Sequence, residues 1–202
     1  MRNEFFFCAP QLKRIPLDGA EEMSLIDYRP GRRRVKWVPG LIFAVPLTDR
    51  SWGVGQTSEL MMPHWGYCAL FSERLPSLDA AVPRPTKKDL VALLAVARQG
   101  LASGYWPVIG TGPAVFGKAE FPNERLAASG YVGAQMYDYG LGEELLSAFH
   151  GLTPWNTYKE EDYLDTMLAP GVARPAAAKV LSAAERAAYR AAKGWDTSDG
   201  AV

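Results

Sequence analysis

Between Arg34 and Phe71 the chain reads RVKWVPGLIFAVPLTDRSWGVGQTSELMMPHWGYCALF, and this stretch constrains the fold more than any other. Apolar and aromatic runs are cut at short intervals by turn formers. The pattern predicts a β-meander. A basic-aromatic strand over 33–38 ends at Pro39-Gly40. A nearly continuous apolar strand follows over 41–47, and its composition implies burial on both faces. Pro46 has no amide donor and belongs at a strand end or edge. After the polar tip Thr48-Asp49-Arg50, a third strand covers 52–59 and a fourth 67–72. Gly53 and Gly55 are two residues apart, so they share one face of the third strand. A glycine pair of this kind admits a close neighbour, and Trp37 is the expected one.

The rest of the chain reads as helices packed against that sheet. Pro76, Pro83 and Pro85 mark a loop. Thr86 reads as an N-cap with Asp89 favouring the helix dipole, and Leu90, Leu93, Leu94, Ala97 and Leu101 follow helical spacing, ending at Gly100 or Gly104. Tyr105 to Gly110 reads as a strand. The following stretch to Ser129 reads as loop with short extended pieces, and Tyr131 to Tyr139 as another strand. Leu141, Leu145, Ala148, Phe149 and Leu152 predict a short amphipathic helix. Thr157 to Glu160 and Ser182 to Glu185 match capping boxes. The first predicts a helix with Tyr163, Leu164, Met167 and Leu168 on its apolar face. The second opens an alanine-rich helix ending at Gly194, with little apolar area to bury. Phe5 to Phe7 read as a short edge strand, and Asp18-Gly19 and Pro30-Gly31 as turns. The expected class is α+β: a twisted antiparallel sheet with several helices packed on it. The expected organisation is an N-terminal extension over 1–30, the α+β domain over 31–172, and the alanine-rich helix and tail over 173–202.

Composition narrows the function classes. The 202 residues carry 22 basic and 22 acidic side chains, so net charge is zero, and nucleic acid is disfavoured as a partner. The dense basic cluster, Arg32-Arg33-Arg34 with Lys36, reads as a solvated approach to the first strand. Two cysteines, Cys8 and Cys68, fit a reducing compartment better than a disulfide framework. No window approaches a membrane span, and the aromatic run near the N-terminus is too short for a signal core. A cytoplasmic protein without a membrane partner is expected.

Chemistry-bearing motifs are sparse. His64 and Cys68 lie four apart, and they read as a loop histidine and a buried strand cysteine. His64 and His150 match no zinc spacing, so no metal is expected. Gly53-Val54-Gly55 lacks the third glycine and the strand-loop-helix setting of a dinucleotide site. Gly110 to Lys118 lacks the spacing and the helix of a phosphate loop. No cofactor is expected. Glu143-Glu144 and Glu160-Glu161-Asp162 read as acids at helix starts, where the dipole favours them. Asp138, between Tyr137 and Tyr139, reads as a rim acid in an aromatic patch. Of the six tryptophans, Trp52, Trp65 and Trp155 sit beside turn signals, where an exposed indole is a favoured binding anchor.

Val35-Lys36-Trp37-Val38-Pro39-Gly40, then Ile42 to Leu47, then Trp52-Gly53-Val54-Gly55-Gln56 together resemble the Imm26 family of bacterial immunity proteins. Trp106 to Gly110 and Tyr163 to Leu168 extend the resemblance, which covers about residues 34–170. Leu41 stands where the family has Asp, and Arg50 where a turn glycine is common. The second departure implies a different turn geometry. The resemblance implies a non-catalytic α+β protein that binds and neutralises a cognate toxin or secreted effector by occlusion. Candidate toxin-binding residues are Asp49, Arg50, Trp52, Asp138, Glu143, Glu144, Trp155, Glu160 and Glu161, with Asp162 beside them. Two alternatives stay open: a hydrolase, from a phosphotriesterase-like label the family also carries, and a small-ligand or nucleic-acid-binding β-module. The oligomeric state is left open.

Overall fold

The computed structural model describes residues 35–195. The chain divides into two compact units, Met1–Arg33 and Arg34–Val202, and the described residues belong to the second. The features expected at Phe5 to Phe7, Asp18-Gly19, Pro30-Gly31, Arg32 to Arg34 and the C-terminal tail lie outside the described residues.

Three of the four strands expected for the meander form; the first, expected over 33–38, is not a strand in its described part, 35–38. Strands β1 (Leu41–Pro46), β2 (Trp52–Met62) and β3 (Trp65–Leu75) pair antiparallel in succession, joined by β4 (Leu90–Ala97) on one edge and β5 (Val108–Thr111) on the other. The sheet order is β4-β3-β2-β1-β5. β2 and β3 run longer than the sequence suggests and meet at an exposed turn carrying His64. The stretch 35–38 approaches the sheet without ladder pairing of its own. Trp37 is nevertheless pinned there: its indole donates to Ser58 O at 2.8 Å. Its ring lies over Gly66 on β3, not over the glycine pair of β2. That pair admits other side chains, Phe43 against Gly55 and Leu146 against Gly53.

β4 is the largest departure from expectation. Thr86 and Asp89 do form a capping box, but it closes only a 3-10 turn, Lys87–Asp89, and LVALLAVA then runs as a strand beside β3. The physical reason is that this run is apolar on both sides. Val91, Ala92, Leu94 and Val96 face one core, while Leu90, Leu93 and Ala95 face the other. Only a sheet position with layers above and below buries both sets. The short helix α1 (Gln99–Ala102) follows, ending before Gly104 at φ +79°.

One face of the sheet is covered by helix α2 (Tyr139–Phe149), the segment with Leu101 and Trp106 that crosses it, Trp155, and Leu164 and Met167 of a later 3-10 turn. Phe43 stacks on Trp106 with ring centres 5.0 Å apart. The opposite face is covered by the 113–134 segment through Val115, Phe116, Phe121 and Tyr131. Buried Gln56 fastens this segment, donating to Pro113 O at 2.9 Å and accepting from Val115 N at 2.8 Å.

Three further expectations are corrected. Tyr131 to Tyr139 is not a strand: Tyr131 and Gly133 sit at φ +64° and +83°, which breaks extended backbone, and Tyr137 alone bridges to β4. The strand expected from Tyr105 begins only at Val108. Thr157 caps no helix; it is buried, and the only helical turn nearby is the 3-10 segment Tyr163–Met167. The capping box at Ser182 does form and opens α3 (Ala183–Ala192). With no buried residue of its own, α3 is fastened by arginines. Arg186 donates to the carbonyls of Asn156 (2.7 Å), Tyr158 and Lys159, and Arg190 to that of Thr157 (2.9 Å).

Candidate binding face

The structure sorts the sequence-selected residues into two groups at opposite ends of α2, with one residue removed to the core. Trp155 is fully buried, so it is not an exposed anchor; it fills the core between the sheet and the 163–167 turn. Arg174 lies over its ring at 5.6 Å and pairs with Asp165.

The first group sits on the β1–β2 turn. Leu47 N donates to Ser51 O and Arg50 N to Leu47 O, which leaves a three-residue loop. Such loops place their last residue in the left-handed region. Arg50 takes that conformation itself, at φ +71°, so the turn keeps the geometry that a glycine would serve. Asp49 is locked beside it. One carboxylate oxygen accepts from Ser51 N (3.1 Å) and Ser51 Oγ (2.5 Å), and the other pairs with Arg74. The Ser51 hydroxyl and amide hydrogen bonds, with the Arg74 charge, hold the Asp49 carboxyl below its ordinary range. Trp52 is half-buried and packs on the face covered by 113–134.

The second group surrounds the first two turns of α2. Asp138 is the N-cap, accepting from Gly140 N at 2.9 Å. Glu143 and Glu144 lie beyond the first turn, so the helix dipole, which fades within one turn, does not account for them. Glu143 is instead framed by aromatics. One of its oxygens accepts from Trp106 Nε1 at 3.0 Å and the other from Tyr105 Oη at 3.2 Å. Tyr139 closes the frame, its ring centre 5.6 Å from that of Tyr105 and 6.0 Å from that of Trp106. Burial among these rings raises the Glu143 carboxyl to about 7, against the lowering effect of its two hydrogen bonds; Asp138 and Glu144 add to the rise. The same burial, with the Glu143 charge, lifts the Tyr105 phenol to about 12. Glu144 accepts from Tyr158 Oη, and Tyr158 packs on Tyr163 at 4.5 Å. Tyr158 thereby joins the helix acids to exposed Glu160, Glu161 and Asp162. These three precede a 3-10 turn instead of opening an α-helix, and Glu161 lies 3.3 Å from Arg186.

The result is a tyrosine-walled acidic face from Tyr105 to Asp162. The tyrosines that build it were not selected from the sequence. Asp138 between two tyrosines was the local signal for part of it. The Tyr105–Glu143 contact joins residues 38 apart and has no local signal. Elsewhere, His64 is exposed and Cys68 fully buried, with burial driving the thiol's pKa far up, as a structural strand cysteine requires. Among the described residues, no three His, Cys, Asp or Glu side chains group so as to hold a metal ion, and no helix is long and apolar enough to cross a membrane. No family model matches the chain, and neither does any curated protein or solved structure.

Proposed function

We propose that this protein is a non-catalytic immunity protein of the Imm26 type, acting in the cytoplasm to occlude a cognate toxin whose contact surface is basic. The observation that carries this reading is Glu143 set among Tyr105, Trp106 and Tyr139, with Glu144 and Tyr158 beside it. Rigid amphipathic rings are favoured anchors at interfaces, and acids between them favour a cationic partner. An arginine or lysine docking here meets a carboxylate that is already partly dehydrated, so less water has to be displaced. Glu143 gains charge as pH rises through about 7, so binding to a basic partner strengthens from mildly acidic to mildly alkaline conditions.

The hydrolase reading has one favourable observation, a carboxyl near neutrality, which suits general acid-base work. Both Glu143 oxygens are already engaged by donors from its own chain, and neither histidine shares its frame. That makes binding the better-supported reading. The nucleic-acid-binding alternative rests on Arg32 to Lys36 and the aromatics nearby, and of these Arg32 to Arg34 lie outside the described residues.

The test is a binding measurement between the full chain and the toxin encoded beside it, using the double charge reversal Glu143→Lys with Glu144→Lys. Loss of a desolvated charge pair costs about 2–5 kcal/mol, which corresponds to a fall in affinity of roughly thirtyfold or more, with slower association. Unchanged affinity together with unchanged protection of cells would overturn the proposal.

A further inference from the structure

Two proline-bearing segments flank a cavity at the β1–β5 edge of the sheet, on the face away from α2. Its volume is about 580 Å³, within the range of small-molecule sites. The floor is Ile42 with buried Gln56, its partner across the ladder. One wall runs over 82–85 and the other over 110–113. Both walls are pinned by their own packing. Val82 rests on Gly110, where an added β carbon would come within 2.6 Å of Val82 Cγ1, and Pro85 is buried. Gln56 holds the second wall by donating to Pro113 O at 2.9 Å. The cavity is therefore preformed.

Gly112 keeps it open. Its φ is not positive, so no turn demands glycine there. Apart from its chain neighbours, a β carbon at this position would meet only Ile42 Cδ1, at 3.8 Å. Gly112 and Ile42 both line the cavity, so a side chain added at 112 would enter it. Charge then limits what fits. Arg84 is the only charged residue lining the cavity, and no carboxylate among the described residues pairs with it. A lone guanidinium suits a single negative charge, and its planar fork matches a carboxylate. Pro83, Pro85 and Pro113 have no N–H, and Ile42 and Val82 are hydrocarbon, so most of the lining favours an apolar body. We infer that this cavity binds a small apolar monocarboxylate, its carboxylate on Arg84 and its hydrocarbon over Ile42, between Val82 and Gly112. None of these residues belongs to the acidic face, so this site stands or falls independently of the immunity reading.

The full chain, labelled with nitrogen-15, is titrated with octanoate, octan-1-ol and propionate while the Gly110 and Gly112 amide resonances are followed. Octanoate is expected to shift both saturably. Propionate has the same charge but little hydrocarbon to bury, and should bind at least about tenfold more weakly. Arg84 is exposed, so Arg84→Ala should stay folded. It should weaken octanoate about threefold, the scale of one exposed ion pair, and leave octan-1-ol unchanged. Gly112→Val suits the extended backbone that precedes a proline. It fills the space over Ile42 and should abolish the octanoate shift at Gly110. Absence of a saturable octanoate shift overturns the site. So does equal binding of propionate and octanoate, an Arg84→Ala protein that binds octanoate as before or loses both ligands alike, or a folded Gly112→Val protein that binds octanoate unchanged.

Discussion

The two ends of α2 carry acids of the same chemistry in opposite electrostatic situations. At the C-terminal end, Asp49 is neutralised by its own chain through Ser51 and Arg74. That pair extends its influence to His150, the C-cap, whose pKa is lowered first by burial and then by the Arg74 charge, against the opposing effect of Asp49. Toward the N-terminal end, about 10 Å from His150 along the helix, Glu143 has only neutral donors, and burial keeps its carboxyl near half-ionised at neutral pH. The difference shows what makes an acid useful to a partner. Asp49 is committed to holding a turn, whereas the charge of Glu143 is withheld by aromatic walls and grows when a cation or higher pH favours it.

The comparison breaks most severely when α2 itself is loosened. Leu146 is fully buried and fills the space over Gly53, so it seats the helix on the β1–β2 hairpin. Leu146→Ala should destabilise the protein by about 3 kcal/mol, through lost burial and the cavity left behind. Denaturant unfolding measures this, and both ends of the helix should lose order together. A destabilisation below about 1 kcal/mol would show that the helix is seated by other contacts.

Replacing the withheld charge acts at one end only. The folded-state pKa of Glu143 is raised above its unfolded value. Its contribution is therefore fully present below about pH 4.5 and is lost as pH rises through about 7. Glu143→Gln should flatten that decline and stabilise the protein at pH 8. The carboxyl is partly solvated, so the gain should be about 1 kcal/mol, well short of the full conversion of the shift. Tyr105 can rotate its hydroxyl to accept from the new amide, so the frame should persist. Thermal melts between pH 4 and 8 measure the effect, and parallel curves for the two proteins would contradict the assigned burial.

The smallest change sharpens the other end. Arg50 holds φ +71°, which costs a non-glycine residue about 1–2 kcal/mol, while glycine loses about 0.5–1 kcal/mol in unfolded-chain entropy. Arg50→Gly should therefore stabilise by about 0.5 kcal/mol. The same variant should leave toxin binding unaltered if the tyrosine-walled end is the contact surface. Weakened binding would move the interface to the β1–β2 turn.

Local order was legible in the sequence where a few neighbouring residues decide it. Pro39-Gly40, the apolar run of β1 and the turn at Asp49 specified β1 and its hairpin with β2, because short apolar runs and turn chemistry act within a few residues. Ser182 and Glu185 specified the start of α3 in the same way, and Leu145 and Ala148 the buried stripe of α2. The residues of β4 read as a helix by their spacing, although a short apolar run suits a buried strand as well. The existence of two apolar layers chose between them, and no window of the sequence contains that information. The same holds for the candidate face. The sequence supplied Asp138, Glu143 and Glu144 as acids on one helix. Packing of the crossing segment over β1 brought Tyr105 and Trp106 onto Glu143 from 38 and 37 residues away. A carboxyl's charge depends on the water and dipoles around it, and those are set by tertiary neighbours.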